Sequence, residues 1–175
     1  DLPEGRGVRV TFLLQAGTFE HNSAIEWQLT FVEASRNTLA YKQKINQILD
    51  APAFWPLYVA GRSFLNVDEK NKIIVVERFA EHEGKTHRYV IVINISSYRH
   101  IGYKVGVRTE NPYRVILNSD EFQYAGFGLA SYPDYFENLP SDNFELLDRE
   151  IILPLLAPYG VVVLAEANES SGLLA

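Results

Sequence analysis

Short apolar segments separated by turn residues fill most of the chain after Pro56, and this pattern constrains the fold more than any other feature. The segments have the length and the β-branched content of strands, and the Gly-, Asn- and Asp-containing stretches between them are typical of turns. Together they predict a mainly β fold, an antiparallel β-sandwich with Greek-key-like connections. The predicted strands cover residues 72–79, 88–95, 103–107, 113–117, 144–153 and 160–164.

The segment at 88–95 shows how such a strand divides its residues between two faces. Successive side chains of a strand point to opposite sides of the sheet. One predicted face therefore carries Tyr89, Ile91 and Ile93, and the other carries Val90, Val92 and Asn94.

The first 55 residues have a different pattern, a strand at 8–14 followed by a helix at 38–49. Tyr41, Ile45, Ile48 and Leu49 recur at helical spacing and form one apolar stripe. Pro52 ends the helix because proline cannot continue it. We therefore divide the chain into a strand-plus-helix extension at 1–55 and a β-sandwich domain at 56–175.

Charge and composition exclude several classes of function. The net charge is −6 and no basic run occurs, which argues against a nucleic-acid partner. There is no cysteine, hence no disulfide and no thiol nucleophile, and a reducing compartment such as the cytoplasm is favoured. No apolar stretch is long enough to span a membrane, so no membrane partner is expected. The chain starts at Asp1 and contains no methionine, so we expect it to be cut from something larger or to have lost its initiator.

No pattern of ionisable residues predicts a catalytic, metal or cofactor site. His82 and His87 lie beside glutamates and could hold a metal, but a solvated hairpin tip is the better interpretation. A run of acidic residues has no recognisable calcium-loop spacing and is interpreted as a solubilising surface. These residues are Asp134, Glu137, Asp142 and Glu145.

Turn residues at 118–128 have a clear folding role. Asn118, Ser119 and Asp120 have short side chains that bond nearby backbone, which suits a turn leaving a strand. Gly126 and Gly128 permit a positive φ or a close approach of backbone.

These turn residues belong to a longer series of motifs. In order they are VERF at 76–79, VIVINIS at 90–96, YKVGV at 103–107, YRVILNSD at 113–120, Phe122, YAGFG at 124–128 and LAPYGVVVL at 156–164. Their order and spacing resemble the all-β domain that follows the catalytic barrel in the α-amylase family, and branching-enzyme-type members are the most similar. The resemblance spans residues 56–165.

A looser resemblance covers the extension, where GVRVTFLL at 7–14 and AGTFE at 16–20 are similar to the last strand of the family's barrel. It implies that residues 1–55 are the last β/α unit of a barrel whose other elements are missing. The catalytic carboxylates of the family would then lie upstream. The resemblance implies a non-catalytic domain that braces the barrel of an α-glucan-active enzyme, either a hydrolase or a glucanotransferase. Whether that enzyme branches, hydrolyses or transfers stays open.

Five aromatic residues are candidates for a surface on which glucose rings stack: Trp55, Tyr58, Phe122, Tyr124 and Phe127. The alternative is that they seal the domain against its barrel. The chain could thus be a carbohydrate-binding module, a subunit of a split enzyme whose barrel is on another chain, or a stand-alone enzyme with a pocket of converging ionisable groups. The expected partners are the catalytic barrel, an α-glucan and, through an exposed apolar patch, a second copy of the chain.

Overall fold

The computed structural model describes residues 33–50, 61–82 and 84–167. The helix α1 (Glu33–Asp50) precedes eight strands and a short 3-10 helix at Phe122–Tyr124. The strands are β1 (Gly61–Asp68), β2 (Ile73–His82), β3 (Lys85–Asn94), β4 (His100–Val107), β5 (Tyr113–Asn118), β6 (Leu139–Phe144), β7 (Leu147–Leu156) and β8 (Val161–Glu166).

The strands form two antiparallel sheets, which confirms the predicted mainly β fold. One sheet has five strands in the order β1-β2-β3-β8-β5, and the other has three in the order β4-β7-β6. The chain passes from one sheet to the other four times: between β3 and β4, between β4 and β5, between β5 and β6, and between β7 and β8. As a result β8, the last strand, lies between β3 and β5 and makes pairs that are distant in sequence.

The main core lies between the two sheets and confirms the predicted faces of β3. Val90 and Val92 are fully buried there, together with residues of β7 and β8. Tyr89 and Ile91 point to the opposite face and belong to a second apolar cluster. The main core comprises Ile73, Val75, Val90, Val92, Val105, Val107, Tyr113, Phe136, Ile151, Leu153, Leu156, Val162 and Leu164.

A buried glutamate joins the two sheets at one end. Glu77 of β2 is fully buried and lies 3.2 Å from Nη1 of Arg88 on the next strand. Its Oε2 lies 3.3 Å from Nε of Arg108, which follows β4 of the other sheet. Since a buried charge needs a partner, the two arginines explain why an acidic residue is tolerated in this position.

The predicted strand at 144–153 is wrong in its bounds, because the structure has two strands there. Phe144 ends β6, Leu147 begins β7, and the turn between them leaves Leu146 82% exposed. The apolar residues on both sides of the turn suggested one continuous strand. β6 itself has the polar sequence LPSDNF and a register shift between Pro140 and Phe144, as expected of an edge strand.

The structure also has one strand that was not predicted and a longer helix than predicted. β1 was not predicted, since its sequence GRSFLNVD is short and mixed, and its register shifts between Phe64 and Asn66. The helix runs from Glu33 to Asp50 and so includes the predicted 38–49. The strand predicted at 8–14 lies outside the described residues. Of the described residues, no helix combines the length and the apolar character needed to cross a membrane.

Candidate functional site

The helix α1 covers the outer face of the five-stranded sheet with the apolar stripe that its sequence predicts. Ile48 is 6% exposed, and Tyr41 and Ile45 pack against the same cluster. The side chain of Leu49 lies outside the described part. The sheet contributes Tyr89, Ile91, Ile116, Leu117, Val161, Val163 and Ala165 to this contact. The strands β3, β5 and β8 thus present apolar side chains on both faces of the sheet, inward to the core and outward to α1.

A loop beside the sheet extends this contact. We call residues 118–130 the aromatic loop, since it includes Phe122, Tyr124 and Phe127. The rings of Tyr41 and Tyr124 meet edge to face with centroids 5.5 Å apart, a favoured aromatic geometry. Asn37 Nδ2 lies 3.4 Å from the carbonyl oxygen of Phe122. Burial raises the pKa of the Tyr41 hydroxyl above its ordinary value.

Asp120 organises the aromatic loop, which confirms the predicted turn. Its side chain accepts two backbone hydrogen bonds, at Oδ1 from the N–H of Phe127 (3.0 Å) and at Oδ2 from that of Ala130 (2.8 Å). Its own N–H donates to Oδ1 of Asn118 at 3.0 Å. Asp120 is only 4% exposed. A buried carboxylate that accepts two N–H groups holds both ends of the loop segment 120–130 in place.

Ser119 ties the same turn to β8. The N–H of Val161 donates to Ser119 Oγ at 2.7 Å, and the N–H of Ser119 donates back to the carbonyl of Val161 at 2.9 Å. The loop is therefore bonded to the sheet as well as to itself.

Two glycines allow the tight path of the aromatic loop, as the sequence predicts. A Cβ at Gly126 would overlap the backbone carbonyl of Asp120, so no larger residue fits. Gly128 has a φ of 63° and lies against the ring of Phe122. These positions require glycine for close approach in the first case and for a left-handed backbone in the second.

The structure brings three of the five predicted aromatic residues to one loop. Phe122 and Phe127 are 74% and 72% exposed, whereas Tyr124 is half-buried against Tyr41. Trp55 and Tyr58 lie outside the described residues. The three aromatic residues therefore divide between an exposed pair and one that belongs to the helix contact.

A cleft of about 660 Å³ beside the aromatic loop has no counterpart in the sequence predictions. It opens between β5 and the segment that follows the loop. Its wall contains the polar-aromatic run SYPDY at 131–135, which is the one sequence signal that could have indicated it. The lining residues are Arg114, Val115, Asn118, Glu121, Ala130, Ser131, Tyr132, Pro133, Asp134 and Tyr135.

The described residues of the predicted acidic surface and of the predicted hairpin tip are not arranged to bind a metal ion. Within residues 33–50, 61–82 and 84–167, no group of three or more histidine, aspartate or glutamate side chains is placed to hold a metal ion. His87 is half-buried on β3 beside Ala80 of β2, while the side chain of His82 lies outside the described part. All four acidic residues are exposed: Asp134, Glu137, Asp142 and Glu145.

The family model described as "Alpha amylase, C-terminal all-beta domain" matches residues 64–165, from within β1 to within β8. The chain belongs to this family. The predicted resemblance is thereby confirmed for the two-sheet sandwich.

Curated relatives extend the match toward the N-terminus. A 1,4-alpha-glucan branching enzyme GlgB of Nostoc sp. is 27% identical over 150 residues, covering 84% of this chain and 19% of its own length. The enzyme of the same name from Bacillus mycoides is 28% identical over 150 residues, with 85% and 23% covered. Both shares exceed what residues 56–175 could supply, so part of the extension is also matched. The chain spans about a fifth of the length of these relatives.

Proposed function

We propose that this chain is the non-catalytic C-terminal β domain of an α-glucan-active enzyme, and that it braces the catalytic barrel. The observation that carries the proposal is the packing of α1 on the outer face of the five-stranded sheet. The resemblance assigns α1 to the last β/α unit of a barrel. The contact between α1 and the sheet is then the contact between barrel and sandwich.

The apolar character of the outer sheet face supports a bracing role. Tyr89, Val163 and Ala165 are each less than a tenth exposed although they lie on the outside of the sandwich. Without the helix they would face water, and burying apolar surface is worth about 25 cal/mol per Å². A sandwich with this face needs a permanent neighbour, and a barrel helix satisfies that need.

The buried carboxylates of the described part support the non-catalytic half of the proposal. Glycosidic cleavage uses two carboxyl groups that flank the scissile bond. Here each buried carboxylate forms ion pairs or hydrogen bonds with other groups of the protein, as expected of a carboxylate with a structural role. Glu77 lies between two arginines, Asp120 accepts two backbone N–H groups, Glu150 accepts from Lys104, and Glu166 accepts from Thr109 and Asn111.

The helix contact is tested by truncating its most buried residue. We expect Ile48→Ala to lower the free energy of unfolding by about 2 kcal/mol, at the low end for buried isoleucine because Ile48 packs in the smaller second cluster and not in the main core. Gln43→Ala, on the exposed side of α1, is the matched control and should stay within about 0.5 kcal/mol. Urea unfolding measures both.

A test of the bracing role itself requires a protein that also contains the barrel. In a longer protein in which this domain follows a barrel, Ile48→Ala should lower the temperature of irreversible inactivation and leave kcat/KM at low temperature unchanged. If the inactivation temperature matched that of the Gln43→Ala protein, barrel and sandwich would be independent and the bracing proposal would fail.

The exposed rings of Phe122 and Phe127 favour a second candidate, a carbohydrate-binding module. A rigid loop with two exposed aromatic side chains suits stacking on sugar rings. Under this alternative, glycogen would retard the chain in affinity electrophoresis and the double change Phe122→Ala, Phe127→Ala would abolish the retardation. A split-enzyme subunit, self-association and a cytoplasmic location stay predictions.

A further inference from the structure

The cleft beside the aromatic loop results from how one segment runs along the free edge of β5. Tyr113 at the start of β5 exchanges two backbone hydrogen bonds with Phe136. At the other end of β5, Asn118 Nδ2 lies 3.4 Å from the carbonyl of Ala130. The segment 130–136 is thus joined to β5 at its two ends, and the cleft opens between these attachments.

The walls of the cleft are held in place before any ligand arrives. Ala130 is fixed through its N–H by Asp120 at 2.8 Å. Tyr132 donates its hydroxyl hydrogen to the carbonyl of Leu155 at 2.8 Å, and its ring packs at 5.9 Å from that of Phe136. A binding site with fixed walls loses little conformational entropy on binding.

The lining combines one exposed ring with groups that bond hydroxyls. Tyr135 lines the cleft and is 55% exposed, so its side chain is accessible to a ligand. Arg114 contributes a guanidinium, whereas Glu121 and Asp134 contribute carboxylates. Two carboxylates disfavour an anionic ligand and the guanidinium disfavours a cationic one, so the mixture suits a neutral ligand with many hydroxyl groups. The volume is within the range of about 300–1,000 Å³ usual for small-molecule sites.

We propose that this cleft binds a short α-glucan chain, with Tyr135 as the stacking ring and the carboxylates of Glu121 and Asp134 as acceptors for sugar hydroxyls. The α-glucan class rests on the proposed function, whereas the position and the residues rest on the cleft alone. The site differs from the exposed pair Phe122 and Phe127, neither of which lines the cleft.

Calorimetric titration of the full chain with maltoheptaose tests the proposal. Tyr135→Ala should weaken binding about fivefold or more, as truncation of an important aromatic contact does, and Tyr135→Phe should retain it. Asp134→Ala should also weaken it. Tyr98→Ala is the matched control, because Tyr98 is 74% exposed and does not line the cleft. Circular dichroism and urea unfolding of each variant show whether it is folded.

Three results would overturn the proposal. Unchanged affinity in Tyr135→Ala, together with loss in Phe122→Ala, would place the sugar on the aromatic loop. Equal affinity for cellohexaose would contradict the α-glucan class and with it the function that supplied the class. No binding of either oligosaccharide would remove the cleft site but leave the bracing role, which is tested separately by unfolding of the Ile48→Ala protein.

Discussion

Replacing Asp120 by alanine should test how much of the domain's stability depends on the aromatic loop. The substitution removes the acceptor of two backbone N–H groups, those of Phe127 and Ala130. A donor left without its partner costs about 1–3 kcal/mol when it is buried. Both hydrogen bonds are partly buried, so the expected loss is about 3 kcal/mol in total. For a chain of this size the melting temperature should fall by about 6–12 °C.

Urea unfolding at neutral pH gives the free energy directly, and an unchanged slope would show that the unfolded state is the same. Asp120→Asn keeps one acceptor oxygen but turns its Nδ2 donor toward the other N–H, so it should lose at least half as much as alanine. The matched control is Asp134→Ala, an exposed carboxylate of the neighbouring segment, for which a change within about 0.5 kcal/mol is expected.

The reasoning would be refuted if Asp120→Ala were as stable as Asp134→Ala. The two N–H groups would then have other acceptors, and the loop would be held mainly by the packing of its rings. A loss of the expected size with both alanine and asparagine would show that one acceptor oxygen beside an Nδ2 donor cannot replace the carboxylate.

Two buried polar side chains should contribute measurably to stability, and the contribution of the first should depend on pH. Burial would raise the pKa of Glu150, but hydrogen bonds from Lys104, Ser141 and Asn143 outweigh it and hold the pKa below its ordinary value of 4.5. Its stabilisation is therefore complete above that pH and is lost as the pH falls through the lower folded-state value. Glu150→Gln should be less stable at neutral pH and should decline less in acid, whereas parallel unfolding curves would contradict this. Asn94 donates from Nδ2 to two carbonyls at 2.7 and 2.8 Å and is 1% exposed. In Asn94→Asp an oxygen replaces the Nδ2 donor and faces those two carbonyls, so urea unfolding at neutral pH should show a loss of about 2 kcal/mol. Stability equal to that of the unsubstituted chain would speak against it.

The sequence was sufficient for features that depend on local periodicity. The two faces of β3 and the apolar stripe of α1 follow from repeats of two and of about 3.6 residues, and both are confirmed. The hydrogen bonds that Asp120 makes within the turn are also local, since they reach only ten residues along the chain. In each case the residues that interact are close in sequence, or face the same side of one element.

Features that depend on distant pairs were not predictable in the same way. β8 pairs with β3 about seventy residues earlier, and the cleft exists because Tyr113 meets Phe136 while Asn118 meets Ala130. Residues 144–153 carry apolar side chains through a turn, so only the pairing of β6 with β7 reveals that turn. Composition also could not separate Phe122 and Phe127 from Tyr124, because their exposure is set by the path that Gly126 and Gly128 allow.

The position of Asp120 links the two proposed roles. On one side of the aromatic loop, Tyr124 contacts Tyr41 of α1; on the other, Ala130 begins the wall of the cleft. Ile48→Ala acts on the helix contact alone and Tyr135→Ala on the cleft alone, so each should leave the other property intact. Asp120→Ala releases the aromatic loop between the helix contact and the cleft. It should therefore lower the free energy of unfolding and also weaken maltoheptaose binding. If Asp120→Ala lowered stability without changing binding, the cleft wall would be held independently of the loop, by Tyr132 and the Tyr113–Phe136 bridge.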